Sequence, residues 1–98
     1  MNNVTTISPN ADRARRYAAD LRAQKLVRVG RTDAGTPRYD IFETALIQLS
    51  GAEINGRTAH ELGFEDIPHE PYWFRIACPE GLPSVVARLL ARDTRRAA

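Results

Sequence analysis

Leu26-Val27-Arg28-Val29-Gly30-Arg31, then Thr32-Asp33-Ala34-Gly35-Thr36, then Pro37-Arg38-Tyr39-Asp40-Ile41-Phe42 is the stretch that decides the fold. Two alternating runs flank a turn containing Asp and Gly, which is the pattern of a β-hairpin. With the turn centred on Ala34, Val29 faces Tyr39, Val27 faces Ile41 and Arg28 faces Asp40. Apolar pairs then share one face and an opposite-charge pair lies on the other, as in a sheet buried on one side.

Toward the amino terminus, Ser8-Pro9 reads as an N-cap followed by proline at the first helical position. A helix is predicted over Pro9 to Gln24, with Ala14, Tyr17, Ala18 and Leu21 on its apolar stripe. Residues 1–8 read as a flexible polar leader. Toward the carboxyl terminus, Phe42, Ala45, Leu46 and Leu49 give a mostly buried helix ending at Ser50, capped by Asp40 or a neighbour and closed by Gly51. Asn55-Gly56 reads as a turn, and Thr58 to Glu61 as a capping box opening a short helical segment that Gly63 stops. Phe64 to Pro71, with two prolines and three acids, reads as an irregular acidic loop. Tyr72 to Cys78 reads as a third strand, and Pro83 starts a terminal helix with Val85, Val86, Leu89 and Leu90 inward. The prediction is one small α+β domain over 9–98, in the order α-β-β-α-(short helical turn)-β-α, with the hairpin and third strand packed against helices.

At 98 residues, 43% apolar and 27% charged, the chain is of globular composition and large enough for one modest core. A core plus a deep cofactor cleft is beyond it. The single cysteine, Cys78, can make no internal disulfide, which points to a reducing, cytoplasmic setting. No apolar run approaches the roughly 20 residues of a membrane span, and Met1 to Thr6 has the form of no secretion signal, so no membrane partner is expected.

The net charge of +2 conceals a segregation. Met1 to Arg38 carries eight basic residues against three acids, Tyr39 to Ala87 two against eight, and Arg88 to Ala98 four against one. Thirteen of the fourteen cations are arginine, whose planar fork suits carboxylates, phosphates and interfaces.

Catalytic and metal chemistry have little to stand on. His60 beside Glu61, His69 near Asp66 and Glu70, and Cys78 fall in no catalytic spacing, and no C-x-x-C or H-x-x-x-H pair pre-positions two zinc ligands. The six glycines are scattered one per turn, without a phosphate-cradling cluster. A non-enzymatic protein with no cofactor and no metal is therefore expected.

Leu21 to Arg31, followed by Gly35-Thr36-Pro37-Arg38-Tyr39, resembles the recognition helix and wing of winged-helix DNA-binding proteins. That resemblance implies Arg15, Arg16 and Arg22 against phosphates and Arg31 and Arg38 in the wing. Thr58 to Asp66 resembles the first helix and turn of an AraC-type helix-turn-helix, but Pro68 and Pro71 fall where its second helix would run. The acidic segment leading into Tyr72-Trp73-Phe74 is the other constellation. At least two of these three rings are expected in the core, with some aromatic surface beside an acidic rim.

The leading expectation is a small binding protein that docks on and blocks a larger protein or nucleoprotein complex. Its candidate contacts are a basic face (Arg15, Arg16, Arg22, Arg31, Arg38, Arg88, Arg92, Arg95) and an acidic, aromatic loop (Glu65, Asp66, Glu70, Tyr72, Trp73). Short, motif-poor domains with segregated charge occur among phage and mobile-element inhibitors of bacterial defence, anti-CRISPR proteins included. The alternative is a DNA-binding regulator using the first helix and the hairpin wing, with nucleic acid bound through the arginine-rich face. A homodimer through the aromatic strand or terminal helix is a third reading.

Overall fold

The computed structural model describes residues 9–93. Helix α1 (Pro9–Ala23) buries Ala14, Ala18 and Leu21, one residue per turn on a single stripe. It stops where Lys25 takes a left-handed backbone (φ 60°) and the Leu26 N–H turns back to the Leu21 carbonyl. Strands β1 (Val27–Arg31) and β2 (Pro37–Phe42) pair antiparallel, with Val27 opposite Ile41, Arg28 opposite Asp40 and Val29 opposite Tyr39, the register that the alternation predicts. Gly35, at φ 88°, makes the connecting turn that an L side chain would strain.

Helix α2 (Glu43–Ser50) follows with no spacer. Phe42 is its N-cap residue and supplies no side-chain cap; Asp40 is held instead by Arg75. Gly51 closes the helix at φ 70°, donating its N–H to the Ile47 carbonyl. The helix is half buried rather than mostly buried: Ala45, Leu46, Leu49 and Ser50 face in, and Thr44, Ile47 and Gln48 face out. Asn55-Gly56 is not a turn between elements but the start of α3 (Gly56–Glu61). The Asn55 side chain accepts from the Thr58 N–H at 3.1 Å, and the Thr58 hydroxyl accepts from the Asn55 N–H at 2.8 Å.

The acidic segment holds one strand more than the sequence predicts. β3 (Glu65–Ile67) and β4 (Glu70–Ala77) form a second antiparallel hairpin, linked by Pro68 and by His69 at φ 66°. Asp66 lies opposite Phe74 and Ile67 opposite Glu70, so Pro71, Tyr72 and Trp73 have no β3 partner and form a bulge in β4. That bulge lets a proline sit in β4 without removing a ladder bond to β3. Helix α4 (Leu82–Ala91) ends the described chain, with Pro83 in its first turn.

The sheet runs β1-β2-β4-β3, antiparallel throughout. α2 packs against β2, β4 and α4; α1 packs against α4 and β1; α3 lies beside β3. One core joins them, with Ile41, Leu46, Val85, Val86, Leu89 and Cys78 fully buried. Each large aliphatic side chain contributes roughly 1.5–3 kcal/mol on burial. Val27, Tyr39, Ile41, Phe74 and Ile76 are the strands' share of that core. The alternate strand residues belong to the opposite face, and none of them joins the core. Among the described residues no helix is long and apolar enough to cross a membrane.

Candidate functional site

The face of the sheet turned away from the core is organised by strand pairing. One row across it reads Arg28, Asp40, Arg75, Glu65, one residue from each strand and alternating in sign. Arg75 holds Asp40 with two hydrogen bonds, Nε to Oδ1 at 2.7 Å and Nη2 to Oδ2 at 3.2 Å. Arg28 Nη2 lies 3.2 Å from the same Oδ2, and Arg28 also donates to both Glu70 oxygens, at 2.8 and 3.2 Å. Paired forks of this kind fix orientation as well as charge. Asp40 is buried on a face that no helix among the described residues covers because the two guanidinium groups lie over it.

That burial pushes the Asp40 carboxyl up, but the Arg75 hydrogen bond and the charges of Arg75 and Arg28 prevail and hold it below its ordinary value. Hydrogen bonding from Arg28 likewise holds Glu70 low.

The adjoining row is aromatic. Phe42 lies opposite Trp73, the rings edge to face with centroids 5.2 Å apart, and Tyr72 stands 6.4 Å from Phe42. Arg28 crosses the Trp73 ring, 4.1 Å from its centre, on the way to Glu70. Of Tyr72, Trp73 and Phe74 only Phe74 enters the core, against the two rings expected there. Trp73 has the outward parity of its strand, and the bulge leaves Tyr72 59% exposed. With Arg38 beside Gly30 and Ala77 in the next row, this face carries three arginines (28, 38, 75) and three acids (40, 65, 70), and so is neutral.

Of the residues singled out in the sequence, Glu65, Glu70, Tyr72 and Trp73 thus come together with Arg38 on or beside this face. Asp66 turns to His60, 3.4 Å away. Arg15, Arg16 and Arg22 are exposed on α1, the first two 3.8 and 3.9 Å from Asp12. Arg31 donates to the Gly35 carbonyl at 2.7 Å. Arg88 and Arg92 line a shallow cleft with Glu61 and Leu62 of the α3 region, Arg88 reaching Glu80 at 3.7 Å. Arg15 lines a different groove, with Pro83, Ser84 and Ala87. The terminal helices therefore pack side by side, with Arg15 bordering one groove of α4 and Arg88 and Arg92 another. Arg95 lies outside the described residues.

Cys78 is fully buried, its N–H bonded to the Pro37 carbonyl and its thiol near Glu80 and Arg88. Among the described residues no group of three His, Cys, Asp or Glu side chains is placed to hold a metal ion.

Sequence reasoning missed Phe42 and Arg75 as members of this face. Their outward parity is readable, but the adjacency of β2 and β4 that joins them is a long-range pairing without a local signal. A scan of protein-family models and searches of curated proteins and of solved structures each found no match to this chain.

Proposed function

We propose that this protein is a non-enzymatic docking module whose contact surface is the open face of its sheet. It acts by occupying the surface of a larger protein or nucleoprotein complex. The observation that carries this reading is the aromatic row: Tyr72 is 59% exposed beside Phe42 and Trp73, on a neutral face that no described helix covers. Aromatic anchors inside a charged rim are the side chains on which binding energy concentrates. The Arg28–Asp40–Arg75 lattice gives that surface a fixed shape before any partner arrives, which lowers the ordering cost of association. An inhibitor of the phage or mobile-element type, anti-CRISPR proteins among them, is the narrower form of the proposal, supported by small size and segregated charge.

Photo-crosslinking tests the surface directly. A photoreactive phenylalanine at position 72 should trap a partner from cell lysate, whereas the same group at Arg57, exposed on α3, should not. Equal trapping at both positions, or none at 72, would sink the reading. A second reading, duplex DNA bound by α1, is favoured by the exposure of Arg15, Arg16 and Arg22 on one helix. It requires binding to random duplex at low salt that falls steeply as salt rises and disappears in Arg15→Ala/Arg16→Ala/Arg22→Ala.

A further inference from the structure

The sheet has two edges, and they differ. β3 is three residues long, acidic, dislocated in register from β4 and flanked by α3. β1 is five residues long and pairs regularly with β2 on its other side. Two bonds fix which of its backbone groups are taken: Phe42 N–H to the Leu26 carbonyl, and Thr32 N–H to the Thr36 carbonyl. In an antiparallel ladder the residues that exchange bonds alternate, so Arg28 and Gly30 bond to β2. The N–H and C=O groups of Val27, Val29 and Arg31 therefore point out of the sheet, and among the described strands none lies beside them. Val29, in the middle of this row, is 54% exposed.

The unbalanced charge beside this edge is positive. Lys25, Arg28 and Arg31 are exposed along it, and no acid occurs from Leu21 to Arg31. Arg38 adds to them from β2. Gly30 leaves room for its guanidinium, since a Cβ there would lie 2.9 Å from Arg38 Nη2. Arg28 is balanced by Asp40 and Glu70, whereas Arg31 reaches only a carbonyl and Arg38 forms no ion pair among the described residues.

We propose that the β1 edge is a docking site for an extended, acidic segment of a partner protein, which adds a fifth strand to the sheet. Main-chain bonds to Val27, Val29 and Arg31 would supply the pairing, and carboxylates on the open side of the added strand, facing Arg38 across Gly30, the selection. A second copy of this chain is the poorer occupant. Antiparallel pairing centred on Val29 would set Arg28 beside Gly30 of the other copy, where that copy's Arg38 already lies, and like charges side by side are destabilising. This inference stands apart from docking by the aromatic face, because it rests on the free backbone groups of the β1 edge and is tested on the isolated protein.

The probe is the capped peptide Thr-Glu-Val-Glu-Val-Glu-Thr, added at millimolar concentration while backbone amide exchange is followed by NMR. Exchange at Val27, Val29 and Arg31 should slow by about tenfold or more, and that at Arg28 and Gly30, already bonded to β2, should not change. The same peptide with Lys for Glu should be inert toward the wild type and active toward Arg38→Glu. Val29→Pro removes only an outward N–H and should abolish the effect. If that variant does not fold, alternate N-methylation of the peptide makes the same test on the wild type. Four results would overturn the proposal: no response to the peptide; amides already protected without peptide at every protein concentration, meaning the edge is covered by the chain itself; protection that grows with protein concentration, meaning a second copy; or perturbation of β1 by a single-stranded oligonucleotide and not by the peptide.

Discussion

The two faces of the sheet are built from the same four strands, and alternate residues assign them to opposite tasks. Toward the helices, Ile41, Phe74 and Ile76 are buried among aliphatic side chains, where shape and area determine stability. On the other face, Asp40, Arg75 and Arg28 are fixed by direction, each fork matched to a carboxylate, and Tyr72 is left open to solvent. Neighbours one residue apart, such as Asp40 and Ile41, thus differ in what a substitution would disturb. The core face sets whether the chain folds, and the open face sets what the folded chain presents.

The sharpest way to break this division is at Ile41. Ile41→Ala is expected to cost about 2–5 kcal/mol, because a fully buried side chain at the centre of the sheet leaves a cavity. In a domain of this size that is a fall in melting temperature of about 10 °C or more, read by calorimetry. A loss below 1 kcal/mol would show that the core does not rest on the sheet.

Asp40→Ala comes next, at roughly 2 kcal/mol. It leaves two guanidinium groups without their shared carboxylate, although both still reach solvent. The same network predicts an acid dependence. Asp40 and Glu70 are both held below their ordinary values of 3.8 and 4.5. Their contribution is therefore fully present above those values and is lost as the pH falls through the lower folded-state ones. Urea midpoints measured from pH 6 downward should decline less in Asp40→Ala than in the wild type. Parallel curves would mean that the network does not govern acid sensitivity.

Tyr72→Ser should have the smallest effect on stability, within about 0.5 kcal/mol, because the ring is exposed. It should nonetheless be the change that most weakens partner capture. A large drop in melting temperature would place Tyr72 with the core face after all.

How much of this could be read from the sequence differs between the hairpins. In the first, strict alternation on both sides of a Gly-containing turn fixed every cross-strand pair, including Arg28 with Asp40. In the second, Pro68 and Pro71 carry the usual marks of a loop, β3 has only three residues, and the bulge at Pro71 to Trp73 disrupts the alternation that would have revealed it. Asn55-Gly56 shows that one dipeptide serves two purposes: its side chain caps α3 because Thr58 stands three residues on, and nothing in the pair itself separates that from a turn. The open face was half legible for a related reason. Alternation sets Trp73 and Arg75 on the same side of β4, but only the joining of β2 to β4 brings Arg75 to Asp40 and Trp73 to Phe42.

Cys78 has a consequence for how this chain behaves under oxidation. It is the only thiol in the sequence, and it is covered where β4 ends, with its backbone tied to Pro37. Disulfide exchange needs direct access of one sulfur to another. Two folded copies therefore cannot be linked through it, and the rate at which an oxidised dimer accumulates scales with the population of molecules that have opened.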